Sequence, residues 1–313
     1  MDLTGIHHLT AISADIAGNK RFYTETLGMR LVKRSVNQDD VSAYHLFYAD
    51  AKGNPGTDIT FFDWPVPSER RGTNAIIRTS LLVPPGTIAS YWNERLAANG
   101  GSVTSSQVRD DRESLDFGDP EGQRLTLVEF SDPGIAMAWD QSLVPAAMQI
   151  RGLGPIELSV PELEPTANVL LNVMNFRHCR EYRSDRGEAL HVFEMHTGGP
   201  TAEIHVAVQP DLPRARQGAG GVHHVAFRTP DSEYDAWAAR LNELGVPNSG
   251  KVDRFWFRSL YFREPNGILF EIASEGPGFA VDEDEATLGE KVVLPPFLER
   301  RRAEIVAGLK PID

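Results

Sequence analysis

The chain has 313 residues, 41% of them hydrophobic and 24% charged, which is the composition of a folded globular protein with room for about two domains and excludes a disordered or fibrous chain. A formal net charge of −13 sets the surface against phosphate backbones and anionic lipid, so neither nucleic acid nor a membrane is expected as a partner. The single cysteine, Cys179, rules out an internal disulfide and any site built from several thiolates.

The N-terminus reads MDLTGIHHLT, with no basic stretch leading into an apolar core, and no apolar run approaches 18 residues. A soluble, cytoplasmic protein is expected. From Gly5 the chain runs GIHHLTAIS, a strand, and then NKRFYTETLG from Asn19, where Phe22, Tyr23 and Leu27 share one helical face before Gly28. PGTDITFF from Pro55 closes this first unit. The second unit has RTSLLVPPG from Arg78, the helical SYWNERLAANGG from Ser90, and the hairpin SLDFGDPEGQRLTLVEF from Ser114. The third has GLGPIELSV from Gly152, TANVLLNVMNF from Thr166 and PTAEIHVAV from Pro200. The fourth has GVHHVAFRT from Gly221, SEYDAWAARLNELG from Ser232 and the hairpin SLYFREPNGILFEI from Ser259.

The repeating unit is therefore βαβββ, four times over at intervals of roughly 70 residues, and the fold class is α+β. Residues 1–134 hold units one and two, 135–151 link the halves, and 152–276 hold units three and four. Residues 277–313 form an acidic tail with a short helix from Pro296 to Ala307, and its DEDE run, Asp282 to Glu285, reads as a solvated loop.

Two histidine doublets, His7-His8 and His223-His224, stand at equivalent places in units one and four. Thr10, two residues after His8, points to the same side of the strand. In a regular strand His7 and His223 face away from their neighbours, so a shared role requires a bulge. Tyr261 and Glu271 share a face if the EPN turn has three residues with Gly267 left-handed; a two- or four-residue turn breaks this. His45, His178, His191 and His196 read as hydrogen-bonded structural residues, and His205 is the one remaining candidate ligand. HVFEMH from His191 lacks the spacing of a zinc-protease helix, Cys179 has no evident base, and Gly218 to Gly221 is no dinucleotide fingerprint.

The four βαβββ units with their DPEG and EPNG turns resemble the vicinal oxygen chelate superfamily, which includes glyoxalase I, bleomycin-resistance proteins and extradiol dioxygenases. The resemblance spans residues 4–276. It implies two open barrel-like domains, with metal ligands in the middle of a unit's first strand and in its last strand. Those positions hold His8, Leu81 or a neighbour, Pro155 and His224, and then Thr60 or Phe61, Thr126, His205 or Val206, and Glu271. By this resemblance His8, His224 and Glu271 form a two-histidine, one-carboxylate triad for Fe(II), with Mn(II) as the alternative.

Because the two histidines lie in units one and four, those units must share a barrel, leaving two with three. That pairing, with the HHLT and HHVAF motifs, resembles the hydroquinone ring-cleaving branch of the superfamily. The resemblance implies an Fe(II)-dependent, extradiol-type dioxygenase that takes a small aromatic diol and O2, and a homo-oligomer. Arg254, Tyr261, His223, His7 and Thr10 take the catalytic or substrate-binding places. The alternatives are a glyoxalase-like lyase or isomerase, which wants a fourth ligand where unit one has Thr60 or Phe61, and a binding protein of bleomycin-resistance type, which needs no triad.

Overall fold

The computed structural model describes residues 1–313 except 133, 185 and 186. Four βαβββ modules pair off into two curled sheets. One sheet runs, in spatial order, Val252–Asp253, Arg258–Arg263, Leu269–Ser274, Val222–Thr229, Gly5–Ser13, Asp58–Asp63, Tyr44–Ala49 and Arg30–Val36. It joins module four to module one through the antiparallel pair Gly5–Ser13 with Val222–Thr229. The other sheet joins module three to module two through Leu153–Val160 and Ala75–Val83. The pairing of one with four and two with three is thus written in the strand order.

Each module's first and last strands are parallel neighbours, so they need a crossover; the helix after the first strand supplies part of it. In module four this is the helix Tyr234–Glu243, which buries Tyr234, Trp237, Ala238 and Leu241. Those positions fall at i, i+3, i+4 and i+7, the stripe that faces a core. In modules two and four the last two strands form a hairpin. Its turn in module four has three residues, Pro265 to Gly267: Glu264 N–H donates to the Ile268 carbonyl at 3.0 Å, and Gly267 sits at φ +89°. Only this loop length places Tyr261 directly opposite Glu271, with both side chains on one face.

Both first strands in the module one–four sheet are bulged at their histidine doublets. Ile6 pairs with Phe227 but His8 with Ala226, so His7 is the extra residue; Thr10 pairs with His224 but Ala11 with Val222, so His223 is the extra residue on the partner strand. A bulge inserts one residue and shifts the alternation of side chains. The strands are therefore not regular at the two places where regularity would have sent His7 and His223 to the far face.

The concave side of this sheet is closed by a second, smaller core in which Val32, Phe47, Ala226, Trp256 and Phe257 meet Phe279 and Leu288 of the tail. The tail corrects one expectation. Only the second half of the DEDE run is solvated: Asp284 and Glu285 are exposed, whereas Asp282 accepts from the Lys33 ammonium at 2.8 Å and Glu283 also pairs with it, while Lys33 is 0% exposed. A buried ammonium needs such partners, because stripping its water without replacement costs several kcal/mol. The tail helix is the short segment Arg302–Gly308. Among the described residues, no helix is long and apolar enough to cross a membrane.

Candidate metal centre and its cavity

His8 and His224 come from adjacent antiparallel strands, and Glu271 from the strand beside His224. All three are buried, and their donor atoms face one another. His8 Nε2 lies 3.2 Å from Glu271 Oε2, His224 Nε2 lies 2.9 Å from the same oxygen, and the two nitrogens are 3.3 Å apart. Ligands at right angles on one ion, at bond lengths of roughly 2.1 Å, would be about 3.0 Å apart. The donor set and its spacing therefore fit one divalent metal ion. Ser259 donates to Glu271 Oε1 at 2.5 Å, which leaves Oε2 turned toward the two imidazoles.

The bulges give each of these histidines an imidazole behind it. His7 Nε2 lies 3.1 Å from the Ser274 carbonyl, which can only accept, so this nitrogen carries the proton. Burial, aided by the charge of His8, pushes the His7 ring down to about 3, so it is neutral near pH 7 and its Nδ1 is a lone pair. His8 Nδ1, 2.9 Å away, must then be the donor. In neutral His8 that puts the Nε2 lone pair toward His224 and Glu271, the tautomer a metal ligand requires. His223 likewise stands behind His224, with Nδ1 to Nδ1 at 2.8 Å, and burial followed by the charge of His224 pushes it to about 3.

Burial alone would raise the Glu271 carboxyl, yet the two imidazoles that face it, His8 foremost, hold it well below the usual carboxylate range. Thr10 Oγ1 is 3.1 Å from His224 Nε2 and 2.8 Å from Thr60 Oγ1. Thr60 in turn lies 2.9 Å from His45 Nε2. The sequence reading set His45 aside as structural. It lines the cavity, its ring packed at a tilt against Phe47 at 3.9 Å and Phe62 at 4.5 Å.

That cavity opens above His8 and His224. Phe47, Phe62, Trp256 and Phe257 make its apolar walls. Arg254 and Tyr261 stand on one side: Arg254 Nε donates to the Tyr261 hydroxyl at 3.2 Å, and its guanidinium lies 5.2 Å from the Tyr261 ring. Burial, reinforced by the charge of Glu271, keeps the Tyr261 phenol above its ordinary value, so it holds its proton. Arg254 lies between strands rather than on one. It is held by Asp39 at 2.9 Å, while Gln38 donates to its carbonyl, so a loop of module one forms the rim over a residue of module four. Phe255, which follows, is at φ +74° and is not part of the wall.

His205 belongs elsewhere. It sits in the equivalent hollow of the other sheet, bonded to Glu203 at 2.9 Å and to the Tyr182 hydroxyl at 2.9 Å. There Arg112 and Arg180 already neutralise Glu203 and Asp110, and Arg78 and Arg109 neutralise Asp116. The hollow that lost its ligands is filled by ion pairs.

Four βαβββ modules in two curled sheets, with a His, His, Glu cluster on the concave side of one, define a metal-centre scaffold of a single architecture. The chain belongs to the Glyoxalase/Bleomycin resistance protein/Dioxygenase superfamily, whose family model matches residues 5–127 and 152–272. It is 47% identical, over the full length of both chains, to the Bacillus subtilis protein named "Putative ring-cleaving dioxygenase MhqA". It is 30% identical to chlorohydroquinone/hydroquinone 1,2-dioxygenase of Sphingobium indicum, over 96% of this chain and 94% of that one. The crystal structure of a "putative dioxygenase" from Bacillus subtilis superposes with a TM-score of 0.91 at 35% identity, covering 99% of this chain and 98% of the other.

Proposed function

We propose that the protein is a ring-cleaving dioxygenase that opens a hydroquinone-like aromatic diol, with Fe(II) held by His8, His224 and Glu271. The observation that carries this reading is the set of three donor atoms, 2.9–3.3 Å apart, two of them on the histidines that line an aromatic-walled cavity. The names of the full-length relatives support it. A three-ligand face leaves adjacent positions open, which suits non-haem iron chemistry with O2.

Iron bound there supplies open coordination positions and the redox capacity that couples an electron-rich ring to dioxygen. The chain's own residues do the rest. Aromatic walls hold the ring flat and exclude water. The Thr10 hydroxyl, beside His224 Nε2, is placed to relay the proton of a phenol entering the centre: as it takes that proton it passes its own to Thr60, which passes one on to the His45 imidazole. The Tyr261 phenol, kept protonated, can return a proton as charge develops. The Arg254 guanidinium beside it provides a fixed cation in a dry pocket, where it counts for more than in water. In the overall reaction one ring C–C bond beside a hydroxylated carbon breaks, and both atoms of O2 end in the product.

A glyoxalase-type lyase would want a carboxylate from module one. That position holds Thr60, whose hydroxyl is committed to Thr10 and His45. Anaerobic reconstitution with Fe(II), followed by oxygen uptake on para- and ortho-diols, tests the proposal. Para-diol-dependent O2 consumption at one iron per chain is expected. Iron-loaded protein that consumes no O2 with any diol would refute it.

A further inference from the structure

Away from the cavity, the outermost strand of the nine-stranded sheet carries a second group of metal-binding side chains. Arg177–Arg183 pairs antiparallel with Ala189–Glu194, with His178 opposite Phe193 and Glu181 opposite His191. Residues three apart on a regular strand face opposite ways. Here the register slips between His178 and Arg180, so Cys179 is an extra residue that restores parity. His178 thereby joins Glu181 and His191 on one face, its ring 5.0 Å from Phe193 and 5.7 Å from His191. Arg180 turns the other way, to Asp110, Glu194 and Glu203.

The three donor atoms lie within 4.8 Å of one another. His191 Nδ1 is 3.0 Å from Glu181 Oε1, and His178 Nε2 is 3.8 Å from the same oxygen. His191 Nδ1 is buried, yet it makes no hydrogen bond: it is close to the carboxylate but out of line with it. Two ligands of one ion stand in that relation. Among the described residues no lysine or arginine pairs with Glu181, in contrast to the Asp110, Glu203, His205 group, whose carboxylates are taken by arginines.

We propose that His178, Glu181 and His191 form a second metal site, for one divalent ion of the zinc, nickel or copper class. Two imidazoles with one carboxylate favour such borderline ions over calcium or magnesium. His178 and Glu181 are 37% and 55% exposed, so the remaining positions face water. The ion ties the edge strand, which has one neighbour only, to the strand beside it. Because it binds the folded hairpin and not the unfolded chain, it raises stability by mass action.

The test uses the full-length, iron-reconstituted protein dialysed against zinc at about the chain concentration, with total iron plus zinc counted by elemental analysis so that exchange at the iron site cannot mislead. Two ions per chain are expected in the wild type and one in both His178→Ala and His191→Ala. Zinc should raise the midpoint of thermal unfolding in the wild type alone. His178→Ala alters a partly exposed position, so it separates ligand loss from misfolding. One ion per chain in the wild type, or two in His178→Ala, would overturn the proposal.

Discussion

At the scale of single residues, the cavity separates groups that would hold a metal ion from groups that would act on the substrate. Arg254 belongs to the second kind: it reaches Tyr261 and Asp39 and touches none of the three donor residues. Arg254→Ala should keep its iron and lose about 10²–10³-fold in kcat/KM, the scale of one preorganised electrostatic group. Oxygen uptake on iron-matched samples checks it, and full activity would make the arginine a mere rim residue. His7 belongs to the first kind, at one remove, because it sets the tautomer of His8. His7→Ala should weaken iron affinity by ~10–100-fold, as loss of an outer partner usually does, measured by competition with a chelator. An affinity unchanged from wild type would show that His8 finds its tautomer unaided.

These residues were unequally legible. His8, His224 and Glu271 could be picked out because the resemblance to the superfamily implies which places in a unit hold ligands, and the repeat makes those places comparable. His45 could not: it lies in the middle strand of its module, and nothing local distinguishes it from a packed histidine. Only the bonded chain through Thr60 and Thr10 ties it to the centre. Ser259 was missed for the same reason. A signal existed, since it stands two residues before Tyr261 and so on the face that carries Glu271.

Among the elements, the tail and the Pro-Gly turns make the sharpest predictions. Lys33 is fully buried and leans on Asp282, Glu283 and the Trp256 ring, 5.1 Å away. Replacing both carboxylates by alanine leaves that charge unpaired and should cost ~3–5 kcal/mol in urea unfolding. Lys33→Met, which removes the charge with its need for partners, should cost far less. Equal losses would mean that the tail acts through packing alone.

In the module two turn, Asp119 accepts backbone N–H groups of Glu121 and Gln123 at 3.0 and 2.9 Å, yet burial still pushes its carboxyl from 3.8 up to about 6. The folded state thus binds this proton more tightly than the unfolded chain. Its contribution is present below pH ~4 and is lost as pH rises through ~6, by roughly 3 kcal/mol. Asp119→Asn, whose amide oxygen can accept the same N–H groups, should flatten stability between pH 4.5 and 7. An unaltered pH slope in chemical denaturation would assign the dependence to other groups.

For the whole molecule, the pairing of module one with module four has a consequence for folding. The strand holding His8 bonds to the strand holding His224, more than 200 residues along the chain. Contacts so distant in sequence close late, because loop entropy must be met before they form. Residues 1–134 expressed alone should bind no iron and expose the unpaired edge of Gly5–Ser13, a template for aggregation. Co-expression with residues 135–313 should restore iron binding, read by metal content of the co-purified pair. Iron bound by the N-terminal piece alone would contradict the shared centre.

The sequence by itself determined the repeat, the βαβββ unit, the three-residue EPN turn as one of its options, and the residue types at the ligand positions. These are local or periodic features, carried by hydrophobic spacing, glycine and proline, and by positions that a repeat makes comparable. The tertiary structure alone decided what depends on register and on distant chain meeting. The bulges that turn His7 and His223 toward their neighbours are choices of strand pairing, invisible in a doublet of identical residues. The burial of Lys33 against Asp282 and Glu283, some 250 residues away, changed the reading of the first half of the acidic run, because charge in sequence suggests water until a buried partner is in place. The convergence of His178, Glu181 and His191 likewise rests on one extra residue in an edge strand, which no spacing rule could anticipate.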